Sequence, residues 1–425
     1  MSGCNADGQE DSVGIEFKEK AVMTLFVAVL GGTIGGITWA LLFIMNLGIN
    51  FLWTDVRNAV DLTLYPVIVC AIGGLLIGLW EQRFGPYPRE MTEILKDVKK
   101  GDQIPYNNLH IIGIAALLPL IFGGSLGPEA GLTGVIVGLC FWFSDRFKYI
   151  ISETEELPQI GMAATIGVIF GAPLFAFVQQ IEDEEKPAAI PKNLKMLMYF
   201  VGIISGYGVL TILQNLFGGR LGLGHFPAIE KISGAEWAAA IPLALVGVTA
   251  GMLYYLFMKM TKAAVKPLAQ KILIRGILGG VILGGVGIFL PYTMFSGEHE
   301  MVEVMNSWPN IGFAVLLLTG IVKLLMGNIC HEMGWRGGNI FPTIFSGVSI
   351  GYACALLLPV DPIFCVAVVT AALTATVMRK PLAVILLLLI CFPINGIIPM
   401  TIGAVIGGAI PVPKWIGIAE DHLDK

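Results

Sequence analysis

Apolar residues run along the chain in long stretches, broken at intervals by glycine and proline, and the polar loops between them are too brief for an extra soluble domain. Stretches of about 18 residues or more predict helices that cross a membrane. Six such stretches are Val22–Trp53, Leu62–Trp80, Ser233–Met258, Ile272–Phe295, Asn310–Cys330 and Val360–Val377. Shorter apolar pieces lie between them: Leu109–Phe122, Pro128–Phe143, Ile160–Ile181, Leu194–Phe217, Pro342–Leu358, Pro381–Cys391 and Ile397–Ile410. Several fall short of the roughly 20 residues that a hydrocarbon core about 30 Å thick requires. Half-spanning helices leave backbone ends at membrane depth, which is tolerated only where they face protein or a water-filled cavity. The pattern predicts an all-α integral membrane protein with broken and half-spanning helices, and such breaks point to a transporter or channel.

Composition narrows this further. Of 425 residues, 56% are hydrophobic and 13% charged. Charge is thus about half of the roughly 25% usual for a soluble domain, which excludes a large soluble enzyme. The 53 glycines suit close helix–helix contacts in a membrane. A net charge of −5 with no basic stripe gives no electrostatic footprint for nucleic acid. The seven cysteines form no CxxC pair and read as small buried hydrophobes. His110, His225, His299, His331 and His422 lack metal-ligand spacing, so neither a metal nor a cofactor is expected. The first 20 residues carry five acids and two bases, unlike a secretory signal peptide. From Leu253 to Arg275 there are five bases and no acid, which places that loop in the cytoplasm by the positive-inside rule.

The most informative feature is a pair of hexapeptides. Gly123-Gly124-Ser125-Leu126-Gly127-Pro128 and Gly337-Gly338-Asn339-Ile340-Phe341-Pro342 share one form and lie 214 positions apart, half the chain. Each is followed by a second match: Ala163-Ala164 with Pro173-Leu174, and Ala371-Ala372 with Pro381-Leu382. Internal repeats of this kind, often inverted, build transporter cores with the substrate at their interface. Proline starts a helix without wasting a donor. The expected result is two clusters of free amides, Leu126, Gly127, Glu129 and Ala130 in one repeat and Ile340, Phe341, Thr343 and Ile344 in the other. Free amides at the positive end of a helix dipole bind an anion without a formal cation. The two starts are expected to meet and point at one site.

These residues resemble the CLC family of chloride channels and proton-coupled anion exchangers, over essentially the whole chain. Gly124-Ser125-Leu126-Gly127-Pro128 falls where that family has G-x-E-G-P, and Gly338-Asn339-Ile340-Phe341-Pro342 where it has G-x-F-x-P. Ala172-Pro173-Leu174, followed by Glu182 and Asp183, is similar to the family's A-P-L helix ending in two acids. The segments GGSLGPE and WRGGNIFP look most like the small bacterial YfeO-type branch of ion-transport proteins. The resemblance implies a CLC-like inverted repeat, a homodimer with an anion path in each subunit, and a third helix start at Phe84-Gly85-Pro86-Tyr87-Pro88. Gly85 there takes the place of a serine whose hydroxyl touches the ion, leaving Tyr87 or Ser125 as side-chain donors. The expected organisation is a cytoplasmic segment over 1–20, a first membrane repeat over 21–218, an inter-repeat loop over 219–232, a second repeat over 233–411 and a tail over 412–425. The dimer interface is expected around Ile160–Ile181, Leu194–Phe217 and Pro381–Ile410.

The departures from the family fall where its mechanism lies. Leu126 stands at the position of the gating glutamate, and leucine can neither titrate nor mimic a chloride. Glu129, about one helical turn on, is either a displaced gate or a partner for its own helix dipole. Asp183 matches the inner proton acid by position, but Glu182-Asp183-Glu184-Glu185-Lys186 also reads as a solvated helix end. The tyrosine of the family's inner gate has no counterpart in Gly403–Pro413. Arg336 reads as a charge at the pore mouth or a snorkelling arginine, and Gln179 and Gln180 as glue between helices.

The favoured reading is a pathway in each subunit for small monovalent anions such as chloride, uncoupled from protons, with Gly85, Pro86, Tyr87, Ser125, Leu126, Gly127, Glu129, Asn339, Ile340 and Phe341 at the anion. The alternatives are a proton-coupled exchanger using Glu129 and Asp183, and a membrane scaffold without transport. No G-x-S-x-G or H-E-x-x-H motif supports an enzyme. The expected setting is the inner (plasma) membrane, in contact with lipid and with the N-terminus cytoplasmic.

Overall fold

The computed structural model describes residues 7–60, 62–89, 93–94, 97, 106, 108–147, 157–182, 192–219, 224–230, 232–413 and 415–416. Among these the helices are α1 (Asp7–Asn50), α2 (Tyr65–Phe84), α3 (Leu109–Ile121), α4 (Glu129–Phe147), α5 (Leu157–Ile169), α6 (Pro173–Glu182), α7 (Lys192–Phe217), α8 (Gly234–Val265), α9 (Ile272–Phe289), α10 (Glu298–Ile311), α11 (Phe313–Glu332), α12 (Ile340–Ala355), α13 (Pro362–Met378), α14 (Pro381–Leu388) and α15 (Ile397–Ala409). The described residues contain no strand, only one isolated antiparallel bridge between Gly127 and Gly338.

Among the described residues six helical segments are long and apolar enough to cross a membrane: Ala21–Ala59, Tyr65–Phe84, Asn193–Phe217, Gly234–Leu268, Ile272–Phe289 and Phe313–Glu332. Two differ from the sequence reading. The piece Leu194–Phe217, expected to be broken, lies within the continuous helix α7, because its glycines serve as packing surface rather than as breaks. The expected span Val360–Val377 shrinks to the 17-residue α13, since Asp361 caps it by accepting from the amides of Ile363 at 2.8 Å and Phe364 at 3.1 Å. Pro362 occupies its first turn.

The chain divides into two compact units. The first comprises Met1–Ala40, Thr92–Leu109 and Val135–Gly218. Within it α1 and α7 approach backbone to backbone: a Cβ on Gly31 would overlap the Gly202 carbonyl, and one on Gly35 the Gly206 carbonyl. Such small-residue seams bring membrane helices together by van der Waals packing rather than by the hydrophobic effect. Side chains such as Leu25, Val29, Phe200 and Ile212 are left exposed, as expected of surfaces that meet lipid or another protein.

The second unit comprises Leu41–Met91, His110–Gly134 and Gly219–Lys425. A similar seam joins α2 and α9, where Gly74, Gly276, Gly280 and Gly284 leave no room for a Cβ. Around the interior helix α13, whose residues from Ile363 to Thr376 are all buried, pack α8, α12 and α15. The start of α8 carries a capping box between Ser233 and Glu236. This unit holds the region described next.

Candidate functional site

The two glycine-rich turns meet in the second unit. Gly127 donates to the Gly338 carbonyl and Gly338 donates to the Gly127 carbonyl, both at 2.7 Å. Matched segments half a chain apart therefore pair with each other, and the helices that leave them, α4 and α12, start side by side. Trp335, fully buried, braces the second turn: its indole donates to the Gly276 carbonyl at 3.1 Å and its amide to the Cys330 carbonyl at 2.8 Å.

The amides at the two starts are used differently. Leu126 donates to the Gly124 carbonyl at 2.8 Å, and Gly127 is committed to the bridge. Those two groups, expected from the sequence to be free for an anion, are thus consumed by the turn itself. At the second start the donors remain directed at an acceptor. Glu129 Oε1 accepts from the Ile340 amide at 2.8 Å and more loosely from the Phe341 amide at 3.4 Å. Glu129 is 1% exposed, and its other oxygen, Oε2, is buried without a hydrogen-bond partner among the described residues. A carboxylate from one repeat lies on the helix start of the other. Two glycines make its seat: a Cβ on either Gly127 or Gly338 would overlap the Glu129 carboxylate.

Leu126 is fully buried, and the added Cβ at Gly337 would come within 2.7 Å of its own Cβ. Ser125 is also fully buried, with a hydroxyl that has no partner among the described residues. Asn339 sits at the start of α12 without a side-chain capping bond, and its carbonyl accepts from Thr343. Arg336 is half-buried, with a buried Nε that has no partner among the described residues. Gly85, Pro86 and Tyr87 follow α2, and Tyr87 lines a small cavity with Trp80, Glu81, Pro119 and Gly334. Among the described residues, no hydrogen bond joins them to Glu129 or to the amides of α12. Asp183 lies outside the described residues.

Sequence reading passed over three ionisable groups nearby. Lys323, in the apolar helix α11, is fully buried, and its ammonium donates to the carbonyls of Tyr292, Met294 and Phe295 at 2.9, 2.8 and 3.1 Å. It also lies 4.6 Å from the Phe345 ring centre. Glu298, at the start of α10, is 2% exposed, with Oε1 unpartnered among the described residues. Glu300 is half-buried, with a buried Oε2 that has no partner among them either. The signal for Lys323 was present, since a charge inside a membrane-length apolar run marks function by default. Nothing local distinguished Glu298 from an ordinary loop acid.

Broken helices that gather backbone donors inside a bundle of membrane-length helices define a membrane transport protein with an anion-type site. The chain belongs to the voltage gated chloride channel family, whose profile matches residues 73–411. It is 26% identical over 319 residues to the YfeO protein of Shigella flexneri, named for a conjectured role in ion transport, with 71% of each chain covered. It is 28% identical over 341 residues to the YfeO protein of Escherichia coli O1:K1, covering 74% of this chain and 76% of that one. The fold is similar to that of a slow cyanobacterial Cl−/H+ antiporter, with a TM-score of 0.78 at 20% identity, covering 91% of this chain and 93% of the other. A CLC-type fluoride/proton antiporter gives a TM-score of 0.74 at 17% identity, covering 92% and 95%. The expected CLC architecture is therefore present.

Proposed function

We propose that the chain carries small monovalent anions across the membrane and that Glu129 gates the path by competing with them for the amides of Ile340 and Phe341. The observation that carries this reading is the Glu129 carboxylate on the start of α12. A carboxylate oxygen and a halide ask the same of a backbone donor, so one excludes the other from it. When the carboxylate leaves, it gives up those donors, and a proton compensates for the charge it would otherwise carry unpaired into a dry interior. Exchange of an anion for a proton follows. On this reading Glu129 takes the role expected of the residue at Leu126, and its carboxylate bonds to the opposite repeat as well as to its own amide.

Uncoupled anion flow is the second reading, and Leu126 favours it: the family's gating position is filled by a fully buried, non-titratable side chain. Proteoliposomes loaded with chloride separate the two. Coupling predicts proton uptake driven by the chloride gradient and lost in Glu129→Gln; uncoupled flow predicts chloride movement with no proton movement in either protein.

The finer assignments belong to the same proposal. Each subunit of a homodimer carries one path, and the faces of α7 bearing Leu197, Phe200, Ile204 and Leu216 and of α15 bearing Ile398 and Val405 remain exposed and apolar, as an interface or lipid requires. The protein resides in the inner membrane with its N-terminus in the cytoplasm, in keeping with the base-rich segment Leu253–Arg275. Anions, not nucleic acid or a catalytic substrate, are its ligands.

A further inference from the structure

We propose that the first turns of α10 supply the proton route to Glu129, through Glu298, Glu300 and Glu303. This rests on the reading of Glu129 as a proton-taking gate and names the path by which the proton arrives. No side chain in the segment after α6, including Asp183, is needed for it.

Burial grades along this short acidic series. Glu129 and Glu298 are 1% and 2% exposed, Glu300 is half-buried, and Glu303 is exposed. The start of α10 lies against both turns of the site: the Phe295 amide donates to the Gly123 carbonyl at 3.1 Å, and a Cβ on Gly297 would overlap Phe345 of α12. Within it Glu298 is in electrostatic reach of Glu129 and Glu300, and Glu300 of Glu303. Glu300 and Glu303 are three residues apart, hence neighbours on one helix face. The series therefore connects the amide-bound carboxylate to an exposed carboxylate in three steps.

Acids in the first turn of a helix have an ordinary explanation, since they complement the helix dipole. That explanation does not require burial, and a surface acid would serve the dipole equally well. Glu298 is nearly inaccessible, and its Oε1 has no donor among the described residues. A buried carboxyl oxygen left without a partner carries an uncompensated desolvation penalty, which calls for an explanation such as a mobile proton. The Oε2 of Glu129 is likewise buried and unpartnered.

The other groups around Glu298 fit this role. From α11, Lys323 pairs with no carboxylate among the described residues; it ties down the carbonyls of the segment leading to Gly297 and acts electrostatically on Glu300. It thereby holds the start of α10 in place and balances the middle of the series. Beyond α14, the buried Cys391 thiol lies within electrostatic reach of Glu298, and the exposed His299 acts on Glu300. Among the described residues Glu298 and Glu129 share no hydrogen bond, so the transfer follows the swing of the Glu129 carboxylate off the α12 amides: an O–H bond of the Glu298 carboxyl breaks as one forms on Glu129. Glu298 is recharged from Glu300, and Glu300 from Glu303 and solvent.

The test uses the full chain in proteoliposomes, with chloride efflux and chloride-driven proton movement recorded together for wild type, Glu129→Gln, Glu298→Gln, Glu298→Asp and Glu300→Gln. Removing a positioned proton carrier slows proton delivery by about 100-fold, so Glu298→Gln is expected to slow proton movement to that extent, and chloride efflux with it, while equilibrium chloride binding stays as in wild type. Glu298→Asp is expected to restore part of it, and Glu300→Gln to give an intermediate loss. If Glu298→Gln does not assemble, the Asp and Glu300 variants still decide the matter. Proton movement abolished by Glu129→Gln but unchanged in the Glu298 and Glu300 variants would overturn the route and leave the gate standing. A wild-type protein that moves chloride without protons would overturn both.

Discussion

The turns at Gly123–Pro128 and Gly337–Pro342 are alike in sequence and opposite in use. In the first, the amides of Leu126 and Gly127 are spent on the turn's own carbonyl and on the bridge to Gly338. In the second, the amides of Ile340 and Phe341 point at a side chain delivered by the first. One repeat supplies the donors and the other the competing anion. A repeated motif therefore does not guarantee a repeated chemistry: a single carboxylate placed three residues beyond Leu126 makes the pair asymmetric.

Four experiments test this contrast. The largest effect is expected from Leu126→Glu, which places a charge where an apolar side chain is fully buried against Gly337. An uncompensated buried charge costs about 3–5 kcal/mol, visible as a large drop in thermal unfolding temperature in detergent. Unchanged stability would mean that the first turn can still present donors to a carboxylate at that position. Next, Glu129→Ala frees the amides of Ile340 and Phe341. Hydrogen bonds to a charged group contribute about 1.5–3 kcal/mol, so calorimetric chloride affinity is expected to rise by roughly 10- to 100-fold. An affinity equal to wild type would show that the carboxylate and the anion do not compete.

A smaller effect is expected from Gly338→Ala, whose Cβ would overlap the Glu129 carboxylate. Overpacking of this kind costs about 1–3 kcal/mol, and the variant should abolish the difference in anion binding between Glu129 and Glu129→Ala backgrounds. Persistence of that difference in the double-mutant cycle would remove the glycines from the account of the seat. The smallest effect is expected from Arg336→Gln: chloride entry slows by about two- to fivefold at low salt, and the deficit fades as ionic strength shortens the Debye length. A deficit independent of salt would make Arg336 a packing residue.

The architecture was legible in the sequence because its causes are local. Apolar run length predicted the spans, proline and glycine predicted the helix starts, and the matched hexapeptides predicted that the starts would meet. Errors in helix extent arose where local signals compete. Glycines within α7 read as breaks but act as a seam against α1, and Asp361 trims an apolar run that by composition alone looked long enough to cross. The site was legible only in part. Its backbone donors and Glu129 were visible, but which repeat Glu129 would contact depends on the fold, and its own helix start was the nearer partner in sequence. Glu298 was not visible at all, because its burial arises from helices far away in the chain, whereas Lys323 stood out against its apolar surroundings.

The paired backbone hydrogen bonds between Gly127 and Gly338 have a consequence for speed. They fasten the two helix starts to each other without using the Glu129 side chain, so the frame around the amides keeps its shape whether the carboxylate is seated or not. On the proposed reading, opening then requires the rotation of one side chain rather than the displacement of whole helices. Side-chain rotations take picoseconds to nanoseconds where space permits, against microseconds to milliseconds for collective helix movements. The ceiling on turnover in such a device is set by how often a proton reaches Glu129, and the frame itself contributes no delay.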